Sequence, residues 1–153
     1  MLLCCGLLQA PPRARRPAGL TVSRKPAPAQ ASGCPCGSPM PYARCCGLWH
    51  HGDAPAPDAA TLMRARYSAY VLDELDYLRR TWHPEAPALE PNPADLKWLG
   101  LQVKRHVCQD DNHAIVEFVA RYRQAGRASR LHEISRFEKI DGRWYYLDGE
   151  FPA

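Results

Sequence analysis

Thiols carry the clearest chemistry in this sequence. Cys34, Cys36, Cys45 and Cys46 fall in the run Cys34-Pro-Cys36-Gly-Ser-Pro-Met-Pro-Tyr-Ala-Arg-Cys45-Cys46, a C-x-C pair and a C-C pair separated by eight residues. Paired thiolates at this spacing can close around one soft ion, and structural zinc takes a closed tetrahedron of thiolate or imidazole ligands. Pro35 stiffens the first pair, Gly37 and Ser38 allow a sharp reversal, and the loop is long enough to return Cys45 and Cys46 to the same point. Metal binding and local folding are then one event, with ~10–16 kcal/mol available at neutral pH. The competing chemistry is a pair of disulfides. Bonding adjacent cysteines to each other is strained, and no convincing secretory signal precedes them, so spacing and compartment favour zinc. His50 and His51 are close enough in sequence to replace one thiolate.

Other chemistry-bearing residues are scattered. His132-Glu133 begins like a metalloprotease H-E-x-x-H helix, but position 136 is Arg and the surroundings read as strand. The sequence contains no phosphate-binding loop, nucleophile elbow or dinucleotide fingerprint. Cys108, alone in a strand, reads as a buried or half-buried thiol rather than a nucleophile, and by residue type Trp82, Trp98 and Trp144 read as core.

The elements that must position these groups follow from periodicity. Residues 1–32 mix Pro, Ala and Arg without helical or strand pattern and read as a disordered basic leader, with an opening apolar stretch too short to span a bilayer. Residues 33–52 are the cysteine knuckle, 53–57 a stiff Pro/Ala linker, and 58–150 the main domain. Asp58 caps a helix over 59–72, with Met63, Tyr67, Tyr70 and Val71 on one buried stripe and Arg64 and Ser68 on other faces. Asp73 caps a second helix to about Thr81, Pro84, Pro87 and Pro91 mark a loop, and Asn92-Pro93 opens one helical turn ending near Trp98 and Gly100.

From Leu101 the period becomes two. Leu101, Val103 and Val107 form one strand's apolar set; Ala114, Val116, Phe118, Ala120 and Tyr122 form the next. A turn at 124–126 leads to a third strand over 129–140, and Asp141-Gly142 is a type I′ signal before 143–148. Helices followed by an antiparallel meander make an α+β fold, a curved sheet wrapped on helices. In the third strand neither alternation is apolar: Leu131, Glu133, Ser135 and Phe137 share one face. That pattern suits an edge strand wet on both faces, a core Glu133 satisfied by Arg or Tyr, or the wall of a polar cavity.

Charge is uneven. Before residue 53 there are six cations (Arg13, Arg15, Arg16, Arg24, Lys25, Arg44) and no Asp or Glu, while the remainder carries 14 basic and 16 acidic side chains. The main domain therefore has no basic surplus, and no specific DNA binding is expected.

Cys34-Pro-Cys-Gly-Ser with Tyr42 and Cys45-Cys46-Gly resembles the SEC-C zinc motif at the C-terminus of the SecA translocation ATPase. Met63-Arg-Ala-Arg-Tyr-Ser-Ala-Tyr70, Asp76-Tyr-Leu, Thr81-Trp-His-Pro84, Val116-Glu-Phe, His132-Glu-Ile-Ser-Arg-Phe137 and Gly142-Arg-Trp-Tyr-Tyr-Leu-Asp-Gly149 resemble the YchJ-like family, also called UPF0225. The resemblance covers about 33–150 and implies a SEC-C knuckle followed by an NTF2-like cone of curved antiparallel sheet closed by helices; the leader departs from it. It implies structural zinc on Cys34, Cys36, Cys45 and Cys46, and a cone lined by Tyr67, Trp82, His83, Trp98, Glu117, Glu133, Ser135 and Tyr146.

Two functions follow as expectations. The first is a cytoplasmic adaptor whose zinc knuckle docks a protein or ribosomal partner. The second is a small molecule in the cone, bound by a carrier or turned over by an isomerase- or dehydratase-type enzyme with Glu133 or His83 as base and Tyr67 or Tyr146 as hydrogen-bond donor. If knuckle and cone are independent modules, Cys36→Ser releases the metal and unfolds only the knuckle.

Overall fold

Asp58 starts the central helix of the fold, its side chain accepting from the Thr61 N–H at 2.7 Å. The computed structural model describes residues 33–153; the expected leader lies outside them. A 3₁₀ turn (Tyr42–Arg44) and α1 (Cys46–His51) form the knuckle. Next come α2 (Ala59–Leu72), α3 (Leu75–Arg80) and strands β1 (Lys97–Cys108), β2 (His113–Gln124), β3 (Arg127–Ile140) and β4 (Arg143–Glu150). The strands pair antiparallel in the order β1-β2-β3-β4, the expected helices-then-meander plan. No helix of the described residues is long and apolar enough to cross a membrane.

Helix α2 is buried on more than the one expected stripe. Met63 and Tyr67 are buried, but so are Ala65, Arg66, Ser68 and Ala69. Part of the helix surface meets the sheet side, where Tyr67 packs edge-on to Trp98, and Ser68 meets the knuckle, its Oγ 3.6 Å from Cys34 Sγ. A helix covered this widely has little amphipathic signal to read. His50 Nε2 reaches the Ala65 carbonyl at 2.7 Å, Arg64 donates to Cys36 O, and Arg80 donates to Trp49 O and His50 O. Cys34, Cys36 and Cys46 thus join Leu62, Ala65 and Tyr77 in one continuous core. Knuckle and main domain share that core, an arrangement that argues for joint rather than independent unfolding.

Several boundaries move for identifiable reasons. Asp73 is the C-cap of α2, left-handed at φ 58°, with its N–H and that of Glu74 bonded to Ala69 O, rather than the N-cap of α3. Asp tolerates that region better than most residues, which lets the chain reverse there. Asn92-Pro93 opens only a turn, and β1 already begins at Lys97, with Trp98 opposite Tyr122. Irregularities between Trp98 and Gly100 and between Val103 and Arg105 shift the register of β1. Each such bulge breaks period two. Hence His106 and Cys108 pair with the inward Val116 and Ala114, while Val107 pairs with Ile115 on the outer face. Strand β3 is interior, paired on both sides, which removes the edge-strand reading.

Asp141-Gly142 turns with φ 50° and 78°, as expected of type I′, and Ala125-Gly126 does the same at 48° and 75°. Alanine has no side-chain compensation for a left-handed backbone. Ala125→Asn should therefore raise stability by about 0.5–1 kcal/mol, read as a higher midpoint in urea at unchanged slope.

Candidate metal centre and cone cavity

The reversal at Cys34–Cys36 is closed by Gly37 N–H to Cys34 O (3.0 Å) and Cys34 N–H to Met40 O (2.8 Å), with Gly37 at φ 90°. The second pair sits where the 3₁₀ turn hands over to α1, so Cys45 and Cys46 point back at the first. All four Sγ atoms lie within 4.8 Å of one another, and Cys36 Sγ is 3.7 Å from Cys45 Sγ. A thiolate tetrahedron with metal–sulfur bonds of about 2.3 Å has edges of about 3.8 Å. The donor set therefore fits a thiophilic ion, and the Cys36–Cys45 separation is far from a disulfide bond.

Electrostatics agree with a metal-ready cluster. Hydrogen bonding from the Cys46 thiol, opposed by burial, pulls Cys36 down to about 5, while its partner Cys46 and the half-buried Cys45 are pushed up. One thiolate held by its neighbours' S–H groups is what remains when four close thiols share protons; a divalent ion would replace those protons.

Neither histidine belongs to the group of close donor atoms, and both ring nitrogens of His50 are hydrogen-bonded elsewhere. The Ala65 carbonyl can only accept, so His50 carries its proton on Nε2, and Nδ1 accepts from the Tyr42 hydroxyl at 2.7 Å. The Tyr42 oxygen then accepts from His51 Nε2 at 3.1 Å. Burial lowers the His50 pKa from 6.5, partly offset by the bond to Ala65 O. A depressed value means the neutral ring supports folding above pH ~6.5 and that support is lost as pH falls through the folded-state value. NMR titration should find His50 titrating below 6.5 as the Nε2–H tautomer.

The second site is a cavity of about 120 Å³ between α2 and the inner sheet face, lined by Met63, Arg66, Tyr67, Tyr70, Trp82, Trp98, Phe118, Ala120, Leu131, Glu133, Ser135 and Tyr146. Of the residues expected there, Tyr67, Trp82, Trp98, Glu133, Ser135 and Tyr146 are brought together. Two are not. Glu117 alternates out of phase with Val116 and Phe118, and on the outer face it meets His132 Nε2 (2.8 Å) and Arg105 Nε (3.4 Å). His83 is buried outside the cavity: its Nδ1 accepts from the Glu85 N–H and its Nε2 donates to Glu138 Oε2 at 3.1 Å. Both ring nitrogens are engaged, so His83 is no free base.

Glu133 is 7% exposed, and its Oε1 accepts from Ser135 Oγ (2.8 Å) and Tyr146 OH (2.9 Å). Burial, then the Glu133 charge and hydrogen bond, push the Tyr146 hydroxyl strongly up, so it remains protonated and donating. Gly149 makes room for the carboxylate: a Cβ there would lie 2.2 Å from Oε1.

Arg66 and Tyr70 are the residues that sequence reasoning missed. Arg66 is 2% exposed, its carbon Cζ 4.9 Å from the ring centroids of both Trp82 and Tyr146, and its Nη1 donates to Leu78 O and Thr81 Oγ1. Burial lowers its pKa while the neighbouring tyrosines and Glu133 raise it; arginine stays charged in proteins regardless. A signal existed, because 63, 66, 67 and 70 share one helical stripe, but an arginine reads as surface by type.

Comparison with known proteins agrees with this architecture. A family model described as the YchJ middle NTF2-like domain matches residues 58–149, and a UPF0225 protein of Bordetella pertussis is 63% identical over 127 residues, covering 80% of this chain and 96% of that protein. The chain belongs to the YchJ (UPF0225) family. A UPF0225 relative from Ralstonia nicotianae is 55% identical, covering 82% of this chain and 95% of its own. The solution structure of a SEC-C motif containing protein from Rhodopseudomonas palustris superposes with TM-score 0.71 at 34% identity, over 80% of this chain and all of that one. A crystal structure of another from Psychrobacter arcticus gives 0.67 at 31%, over 79% and 83%. The family match embraces the cavity, and the knuckle is the SEC-C element.

Proposed function

We propose that this YchJ-family protein is a zinc-braced small-molecule carrier that holds its ligand in the cavity between α2 and the sheet. The observation behind it is a buried guanidinium, Arg66, and a buried carboxylate, Glu133, that line one small aromatic cavity without forming an ion pair with each other. Buried charges are costly unless paired, and a polar occupant between them would offset that cost. Cys34, Cys36, Cys45 and Cys46 would hold the zinc; a closed four-thiolate set has no open position and supplies stability rather than catalysis. Binding is favoured over turnover because Glu133 Oε1 already accepts two protein hydrogen bonds and His83 lies elsewhere.

Native mass spectrometry of the protein purified without added metal tests this. One zinc per chain, lost with acid and chelator, together with a small retained mass released on denaturation, is the expected result. A metal-free chain lighter by two or four hydrogens would mean disulfides and overturn the zinc brace.

A second reading, an adaptor for a protein or ribosomal partner, draws support from charge placement. Arg121 lies directly opposite Arg130, and Lys97 opposite Arg123, on the outer sheet face, with the Arg121 guanidinium resting where a Gly100 Cβ would sit 2.9 Å away. Met40 and Leu48 stand exposed on the knuckle beside buried thiols. Like charges facing each other across strands are unfavourable alone and suit an anionic partner. Salt-sensitive cosedimentation with ribosomes, lost in Arg121→Glu/Arg130→Glu, is expected on this reading; no cosedimentation at low salt would end it.

A further inference from the structure

The two charges also specify what the cavity takes, an inference that rests on reading the cavity as a binding site. We propose that its occupant is a small zwitterion, an α-amino acid of about alanine size, with its carboxylate at Arg66 and its ammonium group at Glu133.

Arg66 and Glu133 line the same cavity and both meet Tyr146, whose ring faces the guanidinium and whose hydroxyl donates to the carboxylate. Nη1 of the Arg66 guanidinium donates to Leu78 O and Thr81 Oγ1, and the group also hydrogen-bonds the Tyr70 hydroxyl, so it is locked in place with donors to spare among its five N–H groups. Both bonds of Glu133 arrive at Oε1, from Ser135 and Tyr146, so the carboxylate is equally fixed and Oε2 is uncommitted. Among the described residues neither charge has an oppositely charged partner within ion-pair distance. Preorganised groups of this kind bind without a further ordering cost. The indole N–H of Trp98, on the same wall, is buried with no acceptor, a second donor that the protein leaves unmatched.

Charge balance selects the zwitterion. Arg66 and Glu133 formally cancel, and a neutral dipolar ligand keeps that balance while pairing each charge. A simple carboxylate would pair Arg66 but place a second negative charge near Glu133, and a simple amine would do the reverse at Arg66; both leave one buried charge uncompensated. Size sets a ceiling: a cavity of about 150 Å³ holds the six carbons of benzene, so about 120 Å³ accommodates roughly five non-hydrogen atoms and a molecule no larger than alanine fills it. Tyr67, Trp82 and Phe118 provide the apolar wall for a short side chain.

The test uses the full chain and the indole N–H resonance of Trp98 in ¹⁵N-correlation NMR, titrated with L-alanine, propionate and ethylamine. Saturable movement with alanine, at a Kd about tenfold or more below those of propionate and ethylamine, is expected. Glu133→Gln should shift the preference from alanine to propionate, and Arg66→Met from alanine to ethylamine, each by about tenfold or more in relative Kd. Should Arg66→Met fail to fold, the wild-type ratio and Glu133→Gln still decide. Propionate or ethylamine binding as tightly as alanine would overturn the zwitterion and leave the cavity reading standing. No saturable shift with any probe, and no retained mass in native spectrometry, would overturn both.

Discussion

Treatment with a chelator, or Cys36→Ser, should lower the midpoint of a single unfolding transition for the whole described protein rather than melt a separate knuckle. Cys36 is fully buried, Cys34 touches Ser68 on α2, and His50 is bonded to the Ala65 carbonyl, so opening the cysteine cluster exposes one side of the central helix. Structural zinc contributes up to ~10–16 kcal/mol of apparent binding energy in small peptides, against a total stability of ~5–15 kcal/mol for a typical domain. Losing even ~3 kcal/mol would shift Tm by on the order of 10 °C at this chain length. Calorimetry with and without chelator checks this: two transitions, with the larger unmoved, would restore the picture of independent modules.

Gly149→Ala should have the next largest effect, because the change is small in volume and badly placed. The new Cβ would meet Glu133 Oε1 at 2.2 Å, Cδ at 2.7 Å and Cγ at 2.9 Å, so the whole carboxylate must move in a site only 7% exposed. Displacement breaks the bonds to Ser135 and Tyr146 and leaves a buried charge poorly satisfied, a loss of roughly 2–4 kcal/mol. Urea denaturation should show that loss, and alanine should no longer move the Trp98 resonance. Wild-type stability in the variant would mean that Glu133 is not held where these contacts place it.

Position within the fold explains which residues were legible. Helix α2, the hairpin β1–β2 and the Asp141-Gly142 turn were legible because capping, period-two alternation and turn chemistry are local. The start of β1 is hidden because its bulges break the alternation, and Asp73 reads as the N-cap of α3 because it suits either kind of cap and the true N-cap, Glu74, is the very next residue. Glu133, Ser135 and Tyr146 were nominated through family resemblance and do meet; Glu117 was nominated alongside them, although its alternation with Val116 and Phe118 already put it on the other face.

By itself the sequence determined the α+β plan, the four thiols able to share one ion, and membership of a family, because each depends on residue type at short spacing. Only the tertiary structure decided that the thiols are part of the main core, that the knuckle histidines stand outside the thiol cluster with His50 bonded at both ring nitrogens, and that Arg66 is buried beside Trp82 and Tyr146. The physical reason is the same in each case: burial and pairing are set by segments far apart in the chain, and Cys34 with Ser68, or Arg66 with Tyr146, meet only once α2 is enclosed between knuckle and sheet.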